Sequence, residues 1–232
     1  MYQYKFKTDI VIPVRNAPLY VVRCIESVMK HTNSFKFIFV DDESKPETSY
    51  YLQGIQRAFP STIIIRTGFQ KWFTRASNLG LRLVQTQFTC LLNSDCEVHE
   101  NWLEELYWVW EDMKTQGRNP GLIGSVTSHE EGRRWCETSE PNYITGHCLF
   151  FDINQMRNIV RDQFGRDLEI LDHRTIEQAH INSERLLCYD LNRIGFHTAV
   201  SYKSWVDHEA GKSWGHDLFG LYNAIKDIND LD

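Results

Sequence analysis

The sequence contains no Cys-x-x-Cys pair, no Gly-x-Gly-x-x-Gly loop, no surplus of positive charge and no long apolar run. Its six cysteines (Cys24, Cys90, Cys96, Cys136, Cys148, Cys188) follow no framework spacing, so they read as reduced, mostly buried thiols rather than a disulfide scaffold. The missing glycine-rich loop counts against a dinucleotide oxidoreductase. A formal net charge of −6 argues against a general nucleic-acid or anionic-membrane surface. No stable nucleic-acid binding is therefore expected, and diffusible substrates fit better. Nowhere do about 18 apolar residues run together as a spanning helix requires, and MYQYKFKTDIVIPV lacks the apolar stretch and cleavage site of a secretion signal. The expectation is a cytoplasmic protein without a transmembrane segment, in the host cytoplasm if the source is viral. No repeat, low-complexity tract or linker marks a boundary, so residues 1–232 read as one domain.

What is present is ample material for a core, 42% apolar and 13% aromatic. Short apolar runs alternate with helical patterns. Asp9 to Val14, Phe35 to Val40, Thr62 to Ile65 and Phe88 to Leu92 read as strands. Between them lie a helix with Val22, Ile25, Val28 and Met29 on one stripe, a helix opening at Pro46, and a helix from about Arg75 to Val84. Leu103, Leu106, Trp110 and Met113 recur at helical spacing after that. This alternation implies crossover units and a mainly parallel sheet over the first half, an α/β fold. In the second half Tyr143 to Phe151 reads as a strand and residues 175–194 as a helix carrying Ile176, Leu187, Leu191 and Ile194.

In open sheets of this kind ligands sit beyond the carboxyl ends of the strands. Three strand ends carry polar or acidic groups: Arg15 and Asn16, then Asp41 and Asp42, then Asn93, Ser94 and Asp95. The last set is the most informative, because the apolar run Phe88 to Leu92 stops abruptly in oxygen ligands. A hard cation such as Mg²⁺ or Mn²⁺ takes a few protein oxygens and leaves its other positions to water and substrate phosphate. Turn chemistry offers the alternative reading of the same residues.

The segments DIVIPVRNA, FIFVDDESK, SNLGL, LLNSDCEVHENWLEEL, ITGHCLFFD, SERLLCYDLNRIGF and VDHEAGKSWG occur in the order found in family 2 glycosyltransferases. Over nearly its whole length the chain resembles that family, closest to its rhamnosyl- and galactofuranosyltransferase branch. The resemblance implies a GT-A fold, with a nucleotide-sugar half over residues 1–126 and a smaller mixed acceptor half over 127–232. It implies an inverting, metal-dependent hexosyl- or deoxyhexosyltransferase that moves sugar from a UDP- or dTDP-linked donor to a hydroxyl on a glycan or other acceptor. Pro13, Val14, Arg15, Asn16, Asp41, Arg75, Asn93 and Ser94 would bind the nucleotide. Asp95 and His208 would hold Mn²⁺ or Mg²⁺, Asn93 standing where the family's motif has its first acid. Glu184 would be the catalytic base, with Glu in place of Asp and Ser183 in place of the preceding acid. Lys212 and Ser213 would close over the diphosphate, and Trp135, Gly146 and Trp214 would meet the acceptor.

Helix capping is the competing role for Asp41, Asp42 and Glu184, and packing for the tryptophans. VIPVRNAPLY lacks the glycine-rich loop of nucleotidyltransferases. A non-catalytic binding module derived from a transferase, and a transferase acting on modified DNA bases, are the alternatives.

Overall fold

The computed structural model describes residues 7–127, 134–138, 144–166, 169–172 and 183–209. Tyr143, Ile176, Lys212, Ser213 and Trp214, named above, lie outside these residues. In chain order the elements are β1 (Thr8–Val14), α1 (Pro18–His31), β2 (Phe35–Asp41), α2 (Pro46–Ala58), β3 (Ile63–Arg66), α3 (Trp72–Arg82), β4 (Phe88–Leu92) and β5 (Cys96–Val98). They continue with α4 (Trp102–Thr115), β6 (Pro120–Val126), β7 (Trp135–Thr138), β8 (Cys148–Asp152), α5 (Ile153–Asp162), α6 (Ser183–Arg193) and β9 (His197–His208).

The strands form one sheet in the order β3-β2-β1-β4-β8-β6-β9-β5, with β7 paired to β9 off this path. From β3 to β4 every pair is parallel. The expected parallel α/β half is therefore present, and its four strands read as near-continuous apolar runs because both faces are covered. Beyond β4 the pairing is mixed: β8 is antiparallel to β4 and β6, and β9 runs parallel to β6 but antiparallel to β5 and β7.

Helix α4 illustrates what holds the helices on. Trp102, Leu103, Leu106, Val109, Trp110 and Met113 are buried along one stripe, while its N-cap Asn101 makes no side-chain cap bond. A missing cap costs about 1 kcal/mol, whereas each buried apolar side chain contributes roughly 1.5–3 kcal/mol, so packing decides. No described helix is long and apolar enough to cross a membrane.

One buried stripe and two element starts differ from the sequence expectation. The buried stripe of α1 is Val21, Cys24, Ile25 and Val28, while Met29 is 38% exposed. Helix α3 starts at Trp72 rather than Arg75, because the Asp42 carboxylate accepts the Lys71 N–H at 2.6 Å and the Trp72 N–H at 2.9 Å. That cap comes from the end of a different strand and is invisible to local pattern. Strand β8 begins only at Cys148, since the preceding turn serves the site described next.

Candidate active site

The carboxyl ends of β1, β2 and β4 converge as expected, and the tip of β9 joins them. Cys96 pairs with His208 across the antiparallel β5–β9 ladder, and the Glu209 N–H donates to the Asp95 carbonyl at 3.1 Å. This pairing brings a residue more than a hundred positions away against Asp95: His208 Nε2 lies 3.4 Å from Asp95 Oδ1 and 3.3 Å from Asn93 Nδ2. Strand alternation sends the neighbouring Asp207 the other way, to His99 at 2.8 Å and Trp205 Nε1 at 2.8 Å.

Ligand atoms of Asp95, Cys96 and His208 all lie within 4.8 Å of one another. Burial pushes the Cys96 thiol well up, and the nearby thiol of Cys24 and the Asp95 charge push it further; its Sγ faces the His147 carbonyl at 3.5 Å. A thiol held protonated is a poor partner for a hard cation. The donors that fit are the Asp95 carboxylate and the His208 imidazole. Beside them, the Asn93 side-chain oxygen and the Ser94 hydroxyl are buried with no hydrogen-bond partner among the described residues. Orphaned buried oxygens flanking a carboxylate and an imidazole suit Mn²⁺ or Mg²⁺.

The segment from Ile144 to His147 links this cluster to Glu184. The His147 carbonyl accepts the Asn93 N–H at 2.9 Å. Its ring, 2% exposed, stacks on His208 with centroids 5.3 Å apart and planes 17° from parallel. Ser125 Oγ at 2.9 Å and Thr145 Oγ at 2.6 Å engage both ring nitrogens. Burial, reinforced by the His208 charge and opposed by Asp95, pushes the His147 pKa down to about 4, so the ring is neutral near pH 7. His147 was missed in the sequence; its signal is a lone imidazole between a glycine and a buried apolar run.

Gly146, one residue earlier, faces the base candidate: a Cβ there would lie 3.3 Å from Glu184 Cδ. Glu184, half-buried in the first turn of α6, accepts from Ser183 Oγ at 3.4 Å, and Ser183 accepts from Thr74 Oγ of α3 at 3.3 Å. Burial raises the Glu184 pKa, opposed by its own backbone N–H and by Ser183.

The acids at the end of β2 are turned inward. The Asp41 carboxylate accepts from Ser44 N at 2.8 Å, Ser49 Oγ at 2.6 Å and Arg66 Nη1 at 2.6 Å. Asp42 is spent on Thr67 and on the first turn of α3, and burial raises its pKa against those bonds. Pro13 and Val14 are buried within β1, and the Val14 carbonyl accepts the Asp42 N–H at 2.8 Å. Arg15 donates to the Asp42 carbonyl at 3.0 Å, while Asn16, in the left-handed region with φ 55°, bonds Ser44 and Lys45.

Arg75 is exposed on α3. Trp135 Nε1 donates to Asp112 of α4 at 2.8 Å, and the residue pairs with Ser201 of β9. Its side chain packs against the core.

Known proteins share this architecture. The mannosyltransferase PcManGT from Pyrobaculum calidifontis, solved with GDP-Man and Mn²⁺, superposes with a TM-score of 0.67 at 11% identity over 88% of this chain and 57% of that one. Residues 1–349 of S. aureus TarS superpose with a TM-score of 0.62 at 12% identity, over 86% and 59%. In sequence, the minor teichoic acid biosynthesis protein GgaB of Bacillus subtilis is 20% identical over 229 residues, 88% of this chain and 25% of GgaB. Glycosyltransferase GlyG of Streptococcus pneumoniae serotype 4 is 25% identical over 162 residues, 68% of this chain and 50% of GlyG. The chain thus spans a quarter to a half of the length of these relatives. These likenesses fix the fold as GT-A, and the family profile described as Glycosyl transferase family 2 matches residues 9–170, so the chain belongs to that family of glycosyltransferases.

Proposed function

We propose that the chain is an inverting, metal-dependent transferase that moves a sugar from a UDP- or dTDP-linked donor to an acceptor hydroxyl, with Glu184 as general base. The observation carrying this reading is the Gly146-His147 pair: adjacent residues pack on the Glu184 carboxyl and on the His208 ring, so base and cation ligands share one framework. A base must bind its proton weakly enough to release it yet strongly enough to take it from a hydroxyl, and a carboxylate raised by burial moves toward that balance.

Glu184 accepts the proton as the acceptor oxygen attacks the anomeric carbon on the face opposite the nucleoside diphosphate. Asp95 and His208 are the residues to hold Mn²⁺ or Mg²⁺, with Asn93 and Ser94 offering neutral oxygens. When bound, that cation offsets charge on the departing diphosphate. Single-domain organisation over 1–232 and the division near residue 126 belong to the same proposal. PcManGT was solved with a guanine nucleotide, so the donor's base is read directly by comparing UDP-, dTDP- and GDP-sugars.

The test is Glu184→Gln. Transfer should fall about 10²–10⁴-fold while UDP and Mn²⁺ still bind by calorimetry. In the wild type, kcat/KM should fall as pH drops through a pKa above the ordinary glutamate range, since only the ionised base works. Undiminished turnover in Glu184→Gln would sink the assignment, and a protein inactive with every nucleotide sugar would favour a binding module.

A further inference from the structure

A shallow groove of about 200 Å³ runs along α3, lined by Lys71, Arg75, Asn78, Leu79, Arg82 and Glu169. We propose that it docks a phosphate group carried by the acceptor. This rests on Glu184 being the base, because the groove's position relative to that residue is what makes it an acceptor site.

Its charges are unequal in availability. Glu169, the one acid among the described lining residues, is already held by Arg82 and by Asn78 Nδ2 at 2.7 Å. Arg75 is exposed and makes no hydrogen bond or ion pair among the described residues. Lys71 Nζ sits 3.2 Å from the centre of the Phe69 ring, a contact that leaves its charge uncompensated by any anion among those residues. With the Arg82–Glu169 pair cancelling, the described lining presents two positive charges on a chain whose formal net charge is −6. A guanidinium on α3 and the ammonium of its N-cap residue, both lining one groove, suit a phosphate, whose oxygens accept the paired Arg donors while Lys supplies a point charge.

The groove is also rigid and well placed. Asn78, 1% exposed, clamps the opposite wall through Leu171 O at 2.8 Å and Leu171 N at 3.0 Å. At this volume it is smaller than the roughly 300 Å³ of sites that enclose a whole small molecule, so it fits one charged group of a larger molecule. Lys71 and Arg75 flank Thr74, which touches Ser183, the residue beside Glu184. A phosphate held there leaves the adjoining unit of the acceptor to reach the base.

The experiment measures binding of a short fluorescent oligo(glycerol phosphate) by anisotropy, with UDP plus Mn²⁺ titrated separately by calorimetry. The wild type should bind the oligomer, more weakly as salt rises. Lys71→Glu should weaken it by about tenfold or more, the loss of one charged hydrogen-bonding contact, with melting temperature and nucleotide affinity unchanged, and Arg75→Glu should weaken it at least as much. Glu184→Gln should bind the oligomer as the wild type does. Retained turnover in Glu184→Gln would remove the base reading and with it the acceptor assignment, even if the groove binds phosphate. The phosphate assignment is overturned on its own if the wild type ignores the oligomer, if a glucuronate oligosaccharide binds equally well, or if Lys71→Glu loses nucleotide affinity in step, which would make the groove part of the donor site.

Discussion

A Cβ on Gly146 would lie 3.3 Å from Glu184 Cδ, tighter than ordinary contact, and 3.5 Å from Oε2, on a group whose position matters. The carboxyl has somewhere to go, since Glu184 is only half-buried, and it would swing rather than break the fold. Gly146→Ala should therefore lower kcat far more than it lowers stability. Misplacing a catalytic group by about 1 Å can cost on the order of 10²-fold, so a loss of roughly 10–100-fold is expected, with donor KM and melting temperature near those of the wild type. Steady-state kinetics beside a thermal melt check this; a lost fold or an unchanged kcat would each contradict it. Ser183 belongs to the same account: it stands where the resemblance implies the acid preceding the base, and its hydroxyl sits between Thr74 and Glu184, so it would orient the proposed base without adding a like charge.

Between elements, glycines set two distances that side chains elsewhere could not. A Cβ on Gly80 of α3 would come within 2.4 Å of Val11 Cγ1 in β1 and 3.0 Å of Val40 Cγ2 in β2. Alanine normally gains about 1 kcal/mol over glycine in a helix, but overpacking against β-branched residues costs typically 1–3 kcal/mol. The clash should win, because Val11 is fully buried in a central strand and has no room to turn. Gly124 of β6 differs in what it touches: a Cβ there would lie 2.2 Å from Ile144 Cγ2, at the start of the turn that carries Gly146 and His147. Gly80→Ala should lose roughly 1–2 kcal/mol, lowering Tm by about 2–8 °C, with kcat preserved. Gly124→Ala should lose stability and kcat together. Melts and kinetics on both variants test whether the turn, rather than general stability, connects sheet to chemistry.

On the scale of the whole chain, the parallel half was legible because apolar runs and helical stripes repeat locally, and the strand ends then follow from topology. Asp95, His208 and Glu184 could be named from residue type and family order, but what joins them could not. The β5–β9 pairing, the His147 ring under His208, and the Asp42 cap on α3 are contacts across long sequence separations, and no local periodicity encodes them. The burial of Val14 within β1 and the bond from Trp135 to Asp112 of α4 are likewise invisible to residue type and position. Asp95 is 3% exposed beside His208 Nε2 at 3.4 Å, and after burial its charge is the next cause that pushes up the thiol of Cys24. A cation held by this carboxylate adds stability that Asp95→Ala should remove. At about 100 times Kd, UDP with Mn²⁺ should stabilise the wild type by about 2.7 kcal/mol, raising Tm by roughly 5–10 °C. In Asp95→Ala the part of that rise requiring Mn²⁺ should vanish, read in one thermal-shift series with and without EDTA. An Mn²⁺-dependent rise that survives the substitution would place the cation elsewhere.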